Sequence, residues 1–367
     1  MPQFTARAAI AFPNIDAYLD QIAASLAAHN MDVQADGDGY DVRSAFGTAH
    51  LETAPSALHL LVQAEDPAAF NRMKHDLTSL IDFVARSEAL TIVWTGDATG
   101  AAPPPDLRIL TVRTVHDLTP RMRRFTLQGD DLGRYAVSDQ IHCRLLFQEK
   151  GTHSPEWPHL GDNGRILWPA AGKLATRIYT IRRIDPASGT LDIDFFMHGG
   201  KGPGVKWANT ASPGDIVGIL GPAAYGPKPA DWVLLAGDET GLPGIARILE
   251  NLPASAQGVA LIEVADTREE QPIEGPSGVE IRWLHRNGAA SGTTSLLADT
   301  VCALDLPADK TGLFFWGGAE FATFKTMRTY LTQEIGLPRS RIVAFSHWRR
   351  GMSEEEIAEA GASAISA

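Results

Sequence analysis

Apolar residues recur at helical spacing over Ile15–His29 and again over Pro67–Arg86, where Phe70, Met73, Leu77, Leu80, Ile81 and Val84 fall on one face. Short alternating segments around Val33, Tyr40–Val42 and Leu58–Val62 predict strands, and Trp94 closes the pattern, so residues 1–97 are expected to form a small α+β domain. The run Thr99–Asp106, small residues followed by three prolines, predicts an extended linker over 98–107. From Arg108 the period becomes two, as in Ile109-Thr111-Arg113-Val115, Met122–Leu127, Gln140–Phe147 and Leu191–His198, which predicts antiparallel strands that begin a barrel or sandwich, assigned to an antiparallel β-barrel over 108–228. A connection from Gln148 to Lys173, rich in Pro, Gly and His, is long enough to be functional or mobile. Pro227-Lys228-Pro229 marks a further boundary. Beyond it the apolar runs Trp232–Ala236, Val259–Val264, Val279–Leu284, Gly312–Gly318 and Arg341–Phe345 alternate with helices at Gly244–Leu252 and Glu320–Ile335, predicting a parallel-sheet α/β domain over 229–352. The tail 353–367 is expected to start as a short helix and fray. The fold class is therefore multidomain.

Composition narrows the chemistry. A formal net charge of −12 disfavours general binding to nucleic acid or anionic membrane, and an anionic ligand would need a local basic pocket. Cys143 and Cys302 are too few for a disulfide framework or a cysteine metal cluster, and a reducing compartment fits. No apolar run approaches the ~18 residues of a membrane span and the N-terminus lacks a signal pattern, so the expected location is the cytoplasm. His29, His50, His59 and His75 are scattered, and no metal site is expected.

Candidate chemistry begins at Arg177-Ile178-Tyr179-Thr180. Strand alternation puts Arg177 and Tyr179 on one face, where an arginine fork can clamp a diphosphate, a tyrosine ring can lie on a flat heterocycle and the Thr180 hydroxyl can bond a ring nitrogen. The turn Gly199–Gly204 enters a short helix, offering unpaired N–H groups and a positive dipole end to a phosphate. Gly237-Asp238-Glu239-Thr240-Gly241-Leu242-Pro243 is a second strand-to-helix turn, at the carboxyl end of a parallel strand where such sheets bind ligands.

These stretches, with the closing His347-Trp348-Arg349-Arg350-Gly351, resemble the siderophore-interacting proteins, flavin-dependent ferric-chelate reductases of the ferredoxin-reductase-like superfamily, over roughly residues 108–355. Residues 1–97 are similar to a small domain of unknown role found fused to such reductases. The resemblance implies an FAD barrel followed by a nicotinamide-nucleotide domain. Arg177 would bind the FAD diphosphate, Tyr179 would stack on the isoalloxazine and Thr180 would bond near its reactive nitrogen. The His198-Gly199 turn, with Gly202, Gly204 and Val205, would hold the diphosphate; family members usually carry a small hydroxyl residue where Val205 stands, which puts one side-chain bond in doubt. Thr240 lies where the nucleotide should pass, while Asp238 and Glu239 repel phosphate and are expected to cap the helix and shape the nicotinamide end. Asp266 suits a ribose 2′-hydroxyl and Arg268 a 2′-phosphate, so NADPH and NADH both stay open. Arg144, where the family usually has lysine, and Arg349 with Arg350 would attract an anionic ferric siderophore; the last two could instead touch the nucleotide.

His142, His153 and His159 are not expected to ligate iron, because the chelator already saturates it, and Trp157 and Trp168 are candidates for lining the chelate or adenine pocket. The leading expectation is an NAD(P)H-dependent ferric-siderophore reductase. Rivals are a flavin reductase with another acceptor or a redox-protein donor, a non-catalytic flavin or siderophore carrier, and an adaptor built around residues 1–97.

Overall fold

A computed structural model describes residues 4–29, 31–97, 102–152, 154–161, 163–199, 202–352 and 356. Part of the expected linker, His153 and all of the tail 353–367 except Glu356 lie outside these described residues.

The chain opens with β1 (Phe4–Ala11), α1 (Ile15–Ala28), β2 (Asp32–Asp36), β3 (Gly39–Ser44), β4 (Gly47–Ala54), β5 (Ala57–Ala64), α2 (Pro67–Val84) and β6 (Trp94–Gly96). The strands form one sheet in the order β2-β3-β4-β5-β1-β6, antiparallel throughout. Asp66 starts α2 by accepting from the N–H groups of Ala68 and Ala69, with Pro67 in the first turn. Phe70, Met73, Leu77 and Ile81 then bury one helix face on the sheet, against Ile10, Leu51, Leu60 and Val62. Strands β1 and β4 were not expected. The inward positions of β1 are Ala6, Ala8 and Ile10, too small on average to stand out in the sequence, and they are buried only because α1 and α2 cover them.

The antiparallel barrel contains β7 (Leu107–Thr119), β8 (Met122–Gln128) and β9 (Gln140–Phe147). The long connection that follows carries a small hairpin, β10 (His159–Leu160) with β11 (Ile166–Leu167), and residues 154–173 cluster with the N-terminal unit instead of the barrel. There His75 Nδ1 lies 2.8 Å from the Gly164 carbonyl, Arg165 pairs with Asp82 at 2.9 Å, and Leu160 N donates to Ala102. Trp157, His159 and Trp168 therefore belong to that unit.

The chain then forms β12 (Ala175–Asp185), β13 (Thr190–Phe196), α3 (Pro203–Thr210) and β14 (Ile216–Tyr225), closing the barrel in the order β12-β13-β8-β7-β14-β9. Its interior holds Leu110, Phe125, Leu145, Ile193 and Val217, and Trp207 of α3 joins them.

The remaining elements are β15 (Trp232–Gly237), α4 (Leu242–Asn251), β16 (Gln257–Val264), β17 (Val279–His285), α5 (Leu296–Cys302), β18 (Leu313–Glu320), α6 (Phe321–Thr329) and β19 (Ile342–Trp348). The parallel sheet runs β17-β16-β15-β18-β19, so strand order reverses between β15 and β18. Helix α5 was not expected, and the helix after β18 is α-helical only to Thr329 before a π-helical turn at Tyr330–Glu334. Barrel and parallel sheet form one compact unit. Met122 and Ile141 share a core with Leu242, Ile245 and Trp316, Arg182 forks onto Glu250 at 2.5 Å, and Arg247 donates to the carbonyls of Ile181 and Val137.

Candidate functional site

The first group of candidate residues lies on the barrel. Strand β12 pairs regularly with β9 from Ala175↔Phe147 to Thr180↔His142, so alternation holds through Arg177, Ile178 and Tyr179. The Tyr179 ring packs on Phe195 at 4.2 Å between centroids. Its hydroxyl lies against the start of α3: a Cβ added to Gly204 would sit 2.2 Å from it, so only glycine allows the approach. Gly202 caps α3 and the first helical backbone bond runs from Lys206 N to Gly202 O, which leaves the N–H groups of Gly204 and Val205 ahead of that ladder. The Val205 side chain is buried, so its contribution there is packing. Gly200 and Lys201 lie outside the described residues. His198 stands 5.8 Å from Phe196 between ring centroids, and burial pushes its pKa down. Arg144 donates to the Thr176 hydroxyl at 2.9 Å and Arg177 to the Thr176 carbonyl at 2.7 Å, which brings both guanidinium stems to one residue. Ring, glycine and helix N-terminus thus meet, with Arg177 two residues along the same strand, and the set fits a flat cofactor with a diphosphate.

The second group lies at the reversal between β15 and β18. Asp238 N donates to Gly318 O, and a Cβ on Gly241 would meet that carbonyl at 2.2 Å, so the turn is pressed onto β18. The Asp238 carboxylate accepts from Thr240 N and Thr240 Oγ1 on one oxygen, at 2.8 and 2.5 Å, and from Glu320 N and Trp348 Nε1 on the other, at 3.0 and 2.8 Å. It therefore fastens the turn to β18 and to the closing motif, where simple helix capping was expected; the cap of α4 is Gly241. Glu320 caps α6 through Ala322 N and accepts from Arg350 N at 3.1 Å. Glu239 faces inward: Arg286, whose side chain is fully buried, bonds both Glu239 and Glu263. Burial raises the pKa of both glutamates against the pull of that arginine. Asp266 and Arg268 pair with each other at 2.8 and 2.9 Å, and those bonds hold the Asp266 carboxyl below the usual range.

Between the groups stands His142. It is 2 % exposed, and neither ring nitrogen has a hydrogen-bond partner among the described residues. Its ring stacks on Trp316 at 6.1 Å and meets Phe345 and His347 edge-on at 5.2 and 5.7 Å; His347 Nδ1 lies 3.3 Å from Thr240 Oγ1. Burial pushes the His142 pKa down to about 3, helped by His347 and Arg247. An orphaned imidazole is costly and points to a missing polar neighbour. Through the Thr180↔His142 pair the barrel group and the sheet group touch a common seam. His142 was weighed only as an iron ligand in the sequence. Glu263 and Arg286 were missed, although a lone glutamate inside the apolar run Val259–Val264 was the signal that could have found them.

In the N-terminal unit His50 lies with Asp36 and Asp41, 4.0 Å from the first and 2.8 Å from the second.

Comparison with known proteins matches residues 111–226 to the siderophore-interacting FAD-binding domain, residues 230–351 to the siderophore-interacting protein model, and residues 7–95 to a model described as an uncharacterized protein conserved in bacteria. The chain is 32 % identical over 241 residues to the ferric vibriobactin reductase ViuB of Vibrio cholerae, covering 65 % of this chain and 88 % of that protein. A crystal structure of a siderophore utilization protein from T. fusca is similar at 40 % identity and a TM-score of 0.61, covering 69 % of this chain and 97 % of that one. The siderophore-interacting protein SipS from Aeromonas hydrophila follows at 29 % identity and a TM-score of 0.60, covering 71 % and 99 %. No described helix is long and apolar enough to cross a membrane. The chain belongs to the siderophore-interacting protein family, with that family's FAD-binding barrel and parallel-sheet domain following its N-terminal region.

Proposed function

We propose that the chain is a cytoplasmic, FAD-containing reductase that takes electrons from NADH or NADPH and passes them to ferric iron in a siderophore, releasing ferrous iron. The observation that carries this reading is the seam at His142, where an orphaned buried imidazole joins the Tyr179–Gly204 cradle to the Thr240–His347 end of the parallel sheet. Likeness to a ferric vibriobactin reductase supports the choice of acceptor.

Arg177 and the N–H groups of Gly204 and Val205 would hold the FAD diphosphate beside the turn at His198 and Gly199, with Tyr179 against the flat ring system and the Thr180 hydroxyl as its polar contact. Bound FAD supplies the conversion of a two-electron hydride into single-electron steps. The rest is positioning. Thr240 and the turn that Asp238 fastens orient the nicotinamide end, and Asp266 or Arg268 would release its partner to meet a ribose hydroxyl or a 2′-phosphate. Arg144, Arg349 and Arg350 draw an anionic chelate toward the site against the net charge of −12. Reduction loosens iron from hard oxygen ligands because the lower charge binds them less strongly.

Anaerobic stopped-flow absorbance of the FAD-loaded protein, mixed with either nucleotide and then with a ferric siderophore, tests the reading. Bleaching of the flavin band by one donor, then reoxidation as ferrous iron reaches a trap, is the expected result. If neither donor bleaches it while a chemically reduced sample still reduces the chelate, the donor is a redox protein.

A further inference from the structure

The connection from Gln148 to Leu174 leaves the barrel after β9 and returns at β12, yet residues 154–173 cluster with residues 1–105. The chain therefore crosses between the two units at 105/106, 153/154 and 173/174. One crossing is enough to tether a fused domain; the other two hand the N-terminal unit a segment that belongs to the barrel's own topology. Within that segment the hairpin β10–β11 pairs on two rungs, His159↔Leu167 and Leu160↔Ile166, too few to hold itself in water. What holds it is the N-terminal unit. Leu160 is buried, and its N–H donates to the Ala102 carbonyl at 2.7 Å. His75 Nδ1 lies 2.8 Å from the Gly164 carbonyl oxygen, and Arg165 donates to the Asp82 carboxylate at 3.0 Å and to the Leu90 carbonyl at 3.3 Å. Gly164, at a φ of +72°, lies so close to α2 that an added Cβ would stand 2.9 Å from both the Lys74 carbonyl oxygen and Thr78 Oγ1.

The two ends of the connection meet on one rung of the barrel, Phe147↔Ala175, followed by Leu146↔Thr176 and Leu145↔Arg177. Arg144 donates to the Thr176 hydroxyl and Arg177 to the Thr176 carbonyl, so the second residue of β12 anchors both side chains. A connection of this length that is not held samples many conformations and frays the rungs it leaves, because ordering it costs chain entropy that its own few contacts do not repay. We propose that the N-terminal domain is a clamp on the barrel: by docking the hairpin it orders the β9–β12 connection and with it the first rungs of β12, which presets Arg177 and Tyr179 for the flavin. The consequence for the flavin rests on the function proposed above; the ordering of β12 does not.

Amide hydrogen exchange of the full-length protein, together with FAD titration by flavin fluorescence, tests the clamp in Gly164→Ala and Gly151→Ala. Both glycines have positive φ, +72° and +84°, so alanine strains either backbone, but a Cβ on Gly151 meets nothing within 4 Å. In Gly164→Ala the amides of 159–167 and of 175–180 should exchange about tenfold faster, and FAD should bind about fivefold more weakly, while Gly151→Ala matches wild type in both. Arg165→Met, which changes the hairpin and leaves α2 intact, should move the same readouts in the same direction, and it decides the matter where Gly164→Ala loosens α2 itself. Faster exchange confined to 159–167 overturns the proposal, because the docking then only covers surface, and so does faster exchange of 175–180 with unchanged FAD affinity. Equal effects of the two glycine variants overturn it as well, since strain anywhere in the connection would then suffice. If the wild-type protein takes up no FAD while 175–180 still loosen in Gly164→Ala, the flavin reading falls and the ordering of β12 by the N-terminal domain stands.

Discussion

Two buried polar groups, one within the parallel-sheet domain and one on the barrel strand β9 that faces it, are built oppositely. Arg286 is enclosed by Glu239 and Glu263, and Glu263 also accepts from Leu297 N at 3.1 Å, so each charge faces an opposite one, while Arg286 Nε has no hydrogen-bond partner among the described residues. His142 is as deeply enclosed, yet its ring lies among the rings of Trp316, Phe345 and His347 and has no hydrogen-bond partner among the described residues. A charge-compensated network that joins β16, the residue after β17 and the turn after β15 is a structural device. An unsatisfied imidazole at the seam between the barrel and the parallel sheet carries a cost that a hydrogen-bond partner would relieve.

Removing a partner should separate the two most sharply. Arg286→Met would leave two buried carboxylates uncompensated and is expected to lower unfolding free energy by about 3–5 kcal/mol, read by denaturant titration. Adding Glu239→Gln should recover part of that loss, and full additivity of the two changes would remove the network from the account.

Acid should act on the other cluster. Folded His142 takes up a proton only near pH 3, whereas unfolded histidine does so below about 6.5, so between these values the unfolded state binds more protons and stability falls as pH falls. From pH 7 to 5 the histidine alone accounts for on the order of 2 kcal/mol of that loss. His142→Gln should flatten the pH dependence of the melting temperature over this range, beyond any pH-independent cost. An unchanged slope would show that His142 takes up its proton in the folded protein. The smallest effect is expected at the link between the clusters: Trp348→Phe removes one of four bonds to Asp238 and should cost about 1 kcal/mol by denaturant titration, without altering the pH slope.

The sequence alone determined the element types wherever one period ran long enough. The α2 stripe, the alternation of β7 to β9 and the apolar runs of β15, β16 and β18 follow from local patterning, because burial on one face or two dictates the spacing of apolar residues. The motifs placed Tyr179 on a barrel strand against the start of α3 and Asp238 at a strand end, since strand-to-turn transitions are local. Only the tertiary structure decided the rest. It bound residues 154–173 to the N-terminal unit through His75, Asp82 and Ala102, revealed β1 under α1 and α2, and turned Glu239 onto Arg286. It also set His142 against Trp316 and His347, more than 170 residues further along the chain. Contacts between residues so far apart are fixed by how layers pack, and no local period carries that information.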